Sequence, residues 1–140
     1  MAHDEDPATL KPMEREALRI AVEGVPEPTR REALLRQLPA LQVTRREYTG
    51  AGFYTWFSCP AELRSDALSD EVIQGPAAAF SIYDPKRGDG AVFLVYTKDG
   101  FIDYLEGASG GMWYEESASA GCWPGTSEPL VFDPALITLG

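Results

Sequence analysis

The dipeptide Asp99-Gly100, set between two apolar runs, constrains this chain more than any other feature. Ala91-Val92-Phe93-Leu94-Val95-Tyr96-Thr97 precedes it and Phe101-Ile102-Asp103-Tyr104-Leu105-Glu106 follows. Asp-Gly favours the positive φ angles of a two-residue hairpin turn, so the two runs are predicted to pair antiparallel. The first run is apolar on both faces, which makes it a central strand.

The period of the chain changes near Leu41. Before it, Pro12 suits a first helical turn, and Met13, Ala17, Ile20 and Ala21 recur at helical spacing, predicting a helix over 12–23 that Gly24-Val25-Pro26 stops. Thr29 and Glu32 have the spacing of a capping box for a second helix, which Ala33, Leu34, Leu35 and Leu38 line and Pro39 ends. Its Arg30, Arg31 and Arg36 read as a solvated face. After it, Leu41, Val43 and Arg45 alternate with Gln42, Thr44 and Arg46 in a two-residue pattern. Thr49-Gly50-Ala51-Gly52 then supplies a turn before Phe53-Tyr54-Thr55-Trp56-Phe57, giving a second hairpin that Pro60 closes. Val72 to Tyr83 is extended but interrupted at Gly75-Pro76, Asp84 to Gly90 is a turn cluster, and Leu136-Ile137-Thr138-Leu139 suits an edge strand or a tail covering a neighbouring subunit. The expected fold is α+β, with two N-terminal helices packed on a predominantly antiparallel sheet of about five or six strands. One domain spans 1–140: a mobile acidic leader at 1–10, a helical part at 11–40, and a mainly β part at 41–140 with a long loop at 107–125.

Charge and residue counts exclude whole classes of chemistry. Twelve bases against 22 acids give a net charge of −10, which repels nucleic-acid backbones and anionic membranes. Residues 1–48 hold nine acids and eight bases, whereas 49–140 hold thirteen acids and four bases, so the acidity belongs to the β part. No run approaches the ~20 apolar residues of a membrane span, and the start lacks the basic and apolar regions of a signal peptide; the expected location is cytoplasmic. Cys59 and Cys122 lack the spacing of a zinc or redox site and read as ordinary buried residues, and the sole histidine, His3, lies in the leader. No metal site and no cofactor is expected. Gly107-Ala108-Ser109-Gly110-Gly111 has no GK[ST] ending, so it is not a phosphate cradle.

Three candidate sites remain. The stretch 107–125 is rich in Gly, Ser and Ala but carries Trp113, Tyr114 and Trp123. These either cap an open end of the sheet or form, with Glu115 and Glu116, a partner-binding surface. Tyr48, Tyr54 and Trp56 either belong to the core or line a small-ligand pocket in the curve of the sheet, where Gly50 and Gly52 permit close approach. Glu106 with Glu115 or Glu116 could form a hydrolytic or cation-holding carboxylate site. Asp103 and Glu106, an odd number apart, lie on opposite faces of a regular strand unless a bulge intervenes.

The order Thr49-Gly50-Ala51-Gly52-Phe53, Phe93-Leu94-Val95-Tyr96, Asp99-Gly100, Leu105-Glu106-Gly107 and Trp123-Pro124 resembles a family of small uncharacterised bacterial proteins with TGxGF, DG, LEG and WP segments. The resemblance covers about 41–125 and implies no activity or site residue. Together these features predict a non-enzymatic protein-binding module, immunity- or antitoxin-like, that presents an acidic aromatic surface (Trp113, Tyr114, Glu115, Glu116, Trp123) to a basic protein. The alternative is a small hydrolase or metal-dependent enzyme using Glu106, Glu115 and Glu116.

Overall fold

A computed structural model describes residues 8–78, 91–122, 130 and 137–139. The elements run α1 (Pro12–Glu23), α2 (Pro28–Gln37), β1 (Gln42–Tyr48), β2 (Gly50–Ser58), β3 (Glu71–Ala78), β4 (Ala91–Lys98), β5 (Phe101–Trp113), α3 (Glu115–Ser119) and β6 (Ile137–Leu139). The strands form one antiparallel sheet in the order β1-β2-β5-β4-β3-β6, as an α+β reading requires. The last strand pairs with β3 of its own chain, Ala77 opposite Thr138, so this tail covers its own sheet's edge. The predicted turn cluster at 84–90, Trp123 and Pro124 lie outside the described residues.

Each of the two N-terminal helices is held by a carboxylate at its start. In α1, Pro12 occupies the first turn and the Lys11 backbone N–H donates to Glu14 Oε1 at 2.7 Å. In α2 the cap differs from the expected Thr29 and Glu32. Glu27 precedes Pro28, and its carboxylate accepts from the Thr29 and Arg30 N–H groups at 3.1 and 2.8 Å. Arg30 and Arg31 are not simply solvated: Arg30 pairs with Glu71 at 2.6 Å, and Arg31 Nη1 donates to the Val25 carbonyl. Both helices pack on one face of the sheet, α1 against β3 and β4 and α2 against β5.

That inner face is closed around aromatic rings. Trp113 is wholly buried and meets Phe53 edge-on at 5.4 Å and Phe93 at 6.0 Å, while its indole N–H donates to the Cys122 carbonyl at 3.0 Å. Gly107 makes room for Phe53, since a Cβ there would stand 2.4 Å from the Phe53 ring. Gly52, at φ +156°, lies so close to the Gly107 carbonyl that a Cβ would stand 1.9 Å from it. The close approach that glycine permits at Gly52 is therefore made by the chain's own β5.

Two buried polar side chains tie helices to the sheet. Glu14 is 1% exposed, yet its carboxylate accepts from Lys11 N–H, Thr55 Oγ1 (2.7 Å) and both Nε and Nη2 of Arg46 (2.9 and 2.8 Å). Burial raises the Glu14 pKa, but the bonds from Arg46, Lys11 and Thr55 outweigh it and hold the carboxyl below its ordinary value. Gln37, fully buried at the end of α2, donates to the carbonyls of Leu63 and Gly100 and accepts from the Ile102 N–H. It thereby fixes the Asp99-Gly100 turn, whose φ angles of 54° and 85° are those the dipeptide was expected to supply.

Besides the register shifts of β2 against β5 at Gly50–Gly52, three single-residue irregularities set which side chains face which way. The pairing of β1 with β2 shifts between Val43 and Arg45, so Arg46 turns inward to Glu14 and Arg45 outward. The predicted alternation holds for Leu41 and Val43, which are buried, and is reversed from Arg45 onward. In β3 one extra residue is accommodated at Gly75-Pro76, between the pairs Gln74–Leu94 and Ala77–Val92. In β5 the extra residue is Asp103. Lys98 pairs with Phe101 and Thr97 with Ile102, as a two-residue hairpin dictates, but Tyr96 then pairs with Tyr104.

Candidate functional site: the outer face of the sheet

The face opposite the helices carries a row of rings rather than the polar residues of an ordinary solvated face. Beside Arg45 on β1 come Trp56 on β2, Tyr104 on β5, Tyr96 on β4 and Val72 on β3, paired residue to residue across five strands. The Arg45 guanidinium lies 3.8 Å from the Trp56 ring centroid. Trp56 and Tyr104 are 5.8 Å apart at 35°, and Tyr104 stacks on Tyr96 at 4.2 Å and 10°. The Asp103 bulge is what makes that stack, because without it Tyr96 would pair with Asp103.

The neighbouring row runs Glu47, Tyr54, Glu106, Leu94 and Gln74. Glu106 stands between two tyrosines. The Tyr96 hydroxyl donates to Glu106 Oε1 at 2.9 Å, and Tyr54 lies opposite on β2 with its ring 6.0 Å from Tyr104. Burial and this hydrogen bond push the Tyr96 phenol up to about 12. The Glu106 charge, with some burial, raises Tyr54, and burial followed by Glu106 and Asp103 raises Tyr104. All three phenols therefore remain neutral at physiological pH. The face is only half closed: Val72 and Val92 are 51% and 45% exposed.

The sequence-predicted sites are placed differently from expectation. Trp113 is not part of an exposed surface; it is core, because β5 continues through Gly107–Trp113 with its indole turned onto Phe53 and Phe93. The expected loop at 107–125 is thus strand as far as Trp113 and helix over Glu115–Ser119, and Trp123 lies outside the described residues. Tyr114, Glu115 and Glu116 are exposed, with Tyr114 against Gly50 at the start of β2.

Tyr48, Tyr54 and Trp56 do not share a pocket. Tyr48 pairs with Phe53 and turns to the inner side, where Lys11 Nζ donates to its hydroxyl at 3.3 Å, whereas Tyr54 and Trp56 face outward. Nor do Glu106, Glu115 and Glu116 form one carboxylate site. Glu106 accepts the Tyr96 hydroxyl on the outer face, whereas Glu115 and Glu116 lie in the first turn of α3 beyond Trp113, and among the described residues no three acidic side chains converge. Proton transfer to a shared substrate atom needs groups within about 3 Å of it. The bulge does bring Asp103 toward the side of Tyr104 and Glu106, the exception to regular alternation anticipated for this pair.

Tyr96, Tyr104, Arg45 and Val72 went unrecognised as site residues. The available signal was the outward phase of Tyr54 and Trp56, matched by an aromatic on each of the two strands of the Asp99-Gly100 hairpin. No protein-family model, curated protein or solved structure matches the chain. Among the described residues, no helix is long and apolar enough to cross a membrane, and no three His, Cys, Asp or Glu side chains converge as a metal-ligand group.

Proposed function

We propose that the protein is a non-enzymatic binding module, immunity- or antitoxin-like in role, whose outer sheet face receives a basic surface of a partner protein. The observation that carries this reading is the half-exposed platform of Trp56, Tyr104, Tyr96 and Tyr54 built around Glu106. Rings already packed against one another lose little freedom on binding, and Trp and Tyr are enriched among residues that dominate binding energy. The acidity of the β part supplies complementarity to a basic partner, and Glu47, Glu106 and Asp103 place some of it on the face itself. Tyr114, Glu115 and Glu116 extend the same chemistry past the Gly50 end of β2.

The test is capture from the lysate of the native cell at low salt, elution with a salt gradient, and rebinding of the purified partner. The expected result is one basic protein whose affinity falls with ionic strength and drops at least tenfold for the Trp56→Ala/Tyr104→Ala variant. Undiminished binding by that variant, or indifference to salt, would remove the proposal.

A further inference from the structure

The aromatic row has two ends, and they are occupied differently. At the β1 end the guanidinium of Arg45 covers Trp56. At the β3 end, beside the stacked pair of Tyr104 and Tyr96, lies a groove of about 410 Å³ lined by those two rings, Val72, Asp70 and Asp103. Glu71 also borders it, with its carboxylate engaged by Arg30, and one cation, Lys98, shares the rim.

Resting on the reading of the outer face given above, we infer that this groove seats an arginine side chain of the partner, its guanidinium on the Tyr96 ring that ends the stacked row and its charge against Asp103. The chain's own Arg45 shows the same geometry at the opposite end of the row. Three features favour arginine over lysine. A planar guanidinium stacks on a ring face, its fork can meet a carboxylate with two N–H groups, and it is more weakly hydrated than an ammonium, so it gives up less on entering a half-apolar groove. Its aliphatic stem would cover Val72, which is 51% exposed. Lys98 opposes the incoming charge, and the groove therefore suits a side chain that gains from stacking as well as from Coulomb attraction.

The experiment is a titration of the intact protein with capped tri-arginine, followed through backbone amide shifts, beside capped tri-lysine of equal charge and length. Tri-arginine is expected to perturb Val72, Tyr96 and Tyr104 most and to bind at least threefold more tightly than tri-lysine. Asp103→Asn, isosteric at the bulge, should weaken tri-arginine at least threefold. Tyr96→Phe, which keeps the ring, should bind like the wild type, and Tyr96→Leu should not. Equal affinity for the two peptides, an unaffected Asp103→Asn variant or no binding overturns the arginine groove. Shifts centred on Glu47, Tyr54 and Glu106 would overturn it while leaving the outer-face reading standing. Shifts away from the outer face would count against both.

Discussion

The two faces of this sheet are built from the same residue types and finished in opposite ways. On the inner face Trp113 packs edge-on against Phe53 and Phe93, Gly107 makes room for the Phe53 ring, and the buried Glu14 accepts from Lys11, Arg46 and Thr55. On the outer face Trp56, Tyr104 and Tyr96 stack in a row, remain partly exposed, and carry acids beside them. Aromatic content alone therefore says nothing about function here. What separates core from candidate interface is whether the helices close over the rings.

The largest expected effect breaks the inner face. Trp113→Ala removes the ring on which Phe53 and Phe93 converge and leaves a cavity, at a cost of about 3–5 kcal/mol in urea unfolding. Trp56→Ala, an equal truncation on the outer face, should cost about 1 kcal/mol, the scale of its lost ring pairs. A Trp56→Ala variant as unstable as Trp113→Ala would show the outer row to be core by another name.

Next is the ion pair. Glu14→Ala removes the counter-charge of Arg46, whose side chain is 15% exposed, and should cost about 3 kcal/mol because a largely buried guanidinium loses the carboxylate that neutralises it. The same carboxyl has a pH signature. Its folded pKa lies below the ordinary 4.5, so its contribution is complete above about pH 4.5 and is lost as pH falls through the depressed folded value. Acid titration of stability in Glu14→Gln should lack that part of the decline. A variant following the wild-type acid curve would show that the Arg46 bonds do not hold the carboxylate.

How much of this contrast the sequence discloses depends on sequence distance. The Asp99-Gly100 hairpin, the β1–β2 hairpin that closes between Thr49 and Gly52, and the start of α1 are local and were legible, because turn chemistry and helix entry are decided within a few residues. The faces were not, because a single extra residue at Thr44 or Asp103 reverses the side on which everything after it lies. Nothing about Arg46 distinguishes it from Arg45 until the bulge is known. Gln37 and Glu14 were missed for a related reason, since their partners stand as far as 65 and 41 residues away. Trp113 was misplaced because a run of Gly, Ser and Ala reads as loop, whereas here glycine at 107 is what lets the strand pass the Phe53 ring.

The smallest effect sharpens the outer face itself. Tyr96 has a folded pKa of about 12 against an ordinary 10, with burial, the Glu106 bond and the Glu106 charge as causes in that order. The neutral phenol is thus favoured by the fold, and this contribution is complete below about pH 10 and lost as pH rises toward 12. Glu106→Gln keeps the shape and removes the charge, so the phenol should ionise at lower pH in a spectrophotometric titration, with little change in stability at neutral pH. Binding of the basic partner should fall about tenfold in the same variant, on the scale of one charge-assisted hydrogen bond at an interface. A lowered phenol pKa with full partner affinity would mean that Glu106 organises the tyrosines without meeting the partner. Affinity lost with the phenol unchanged would mean the reverse. Loss of both is what a carboxylate shared between platform and partner requires.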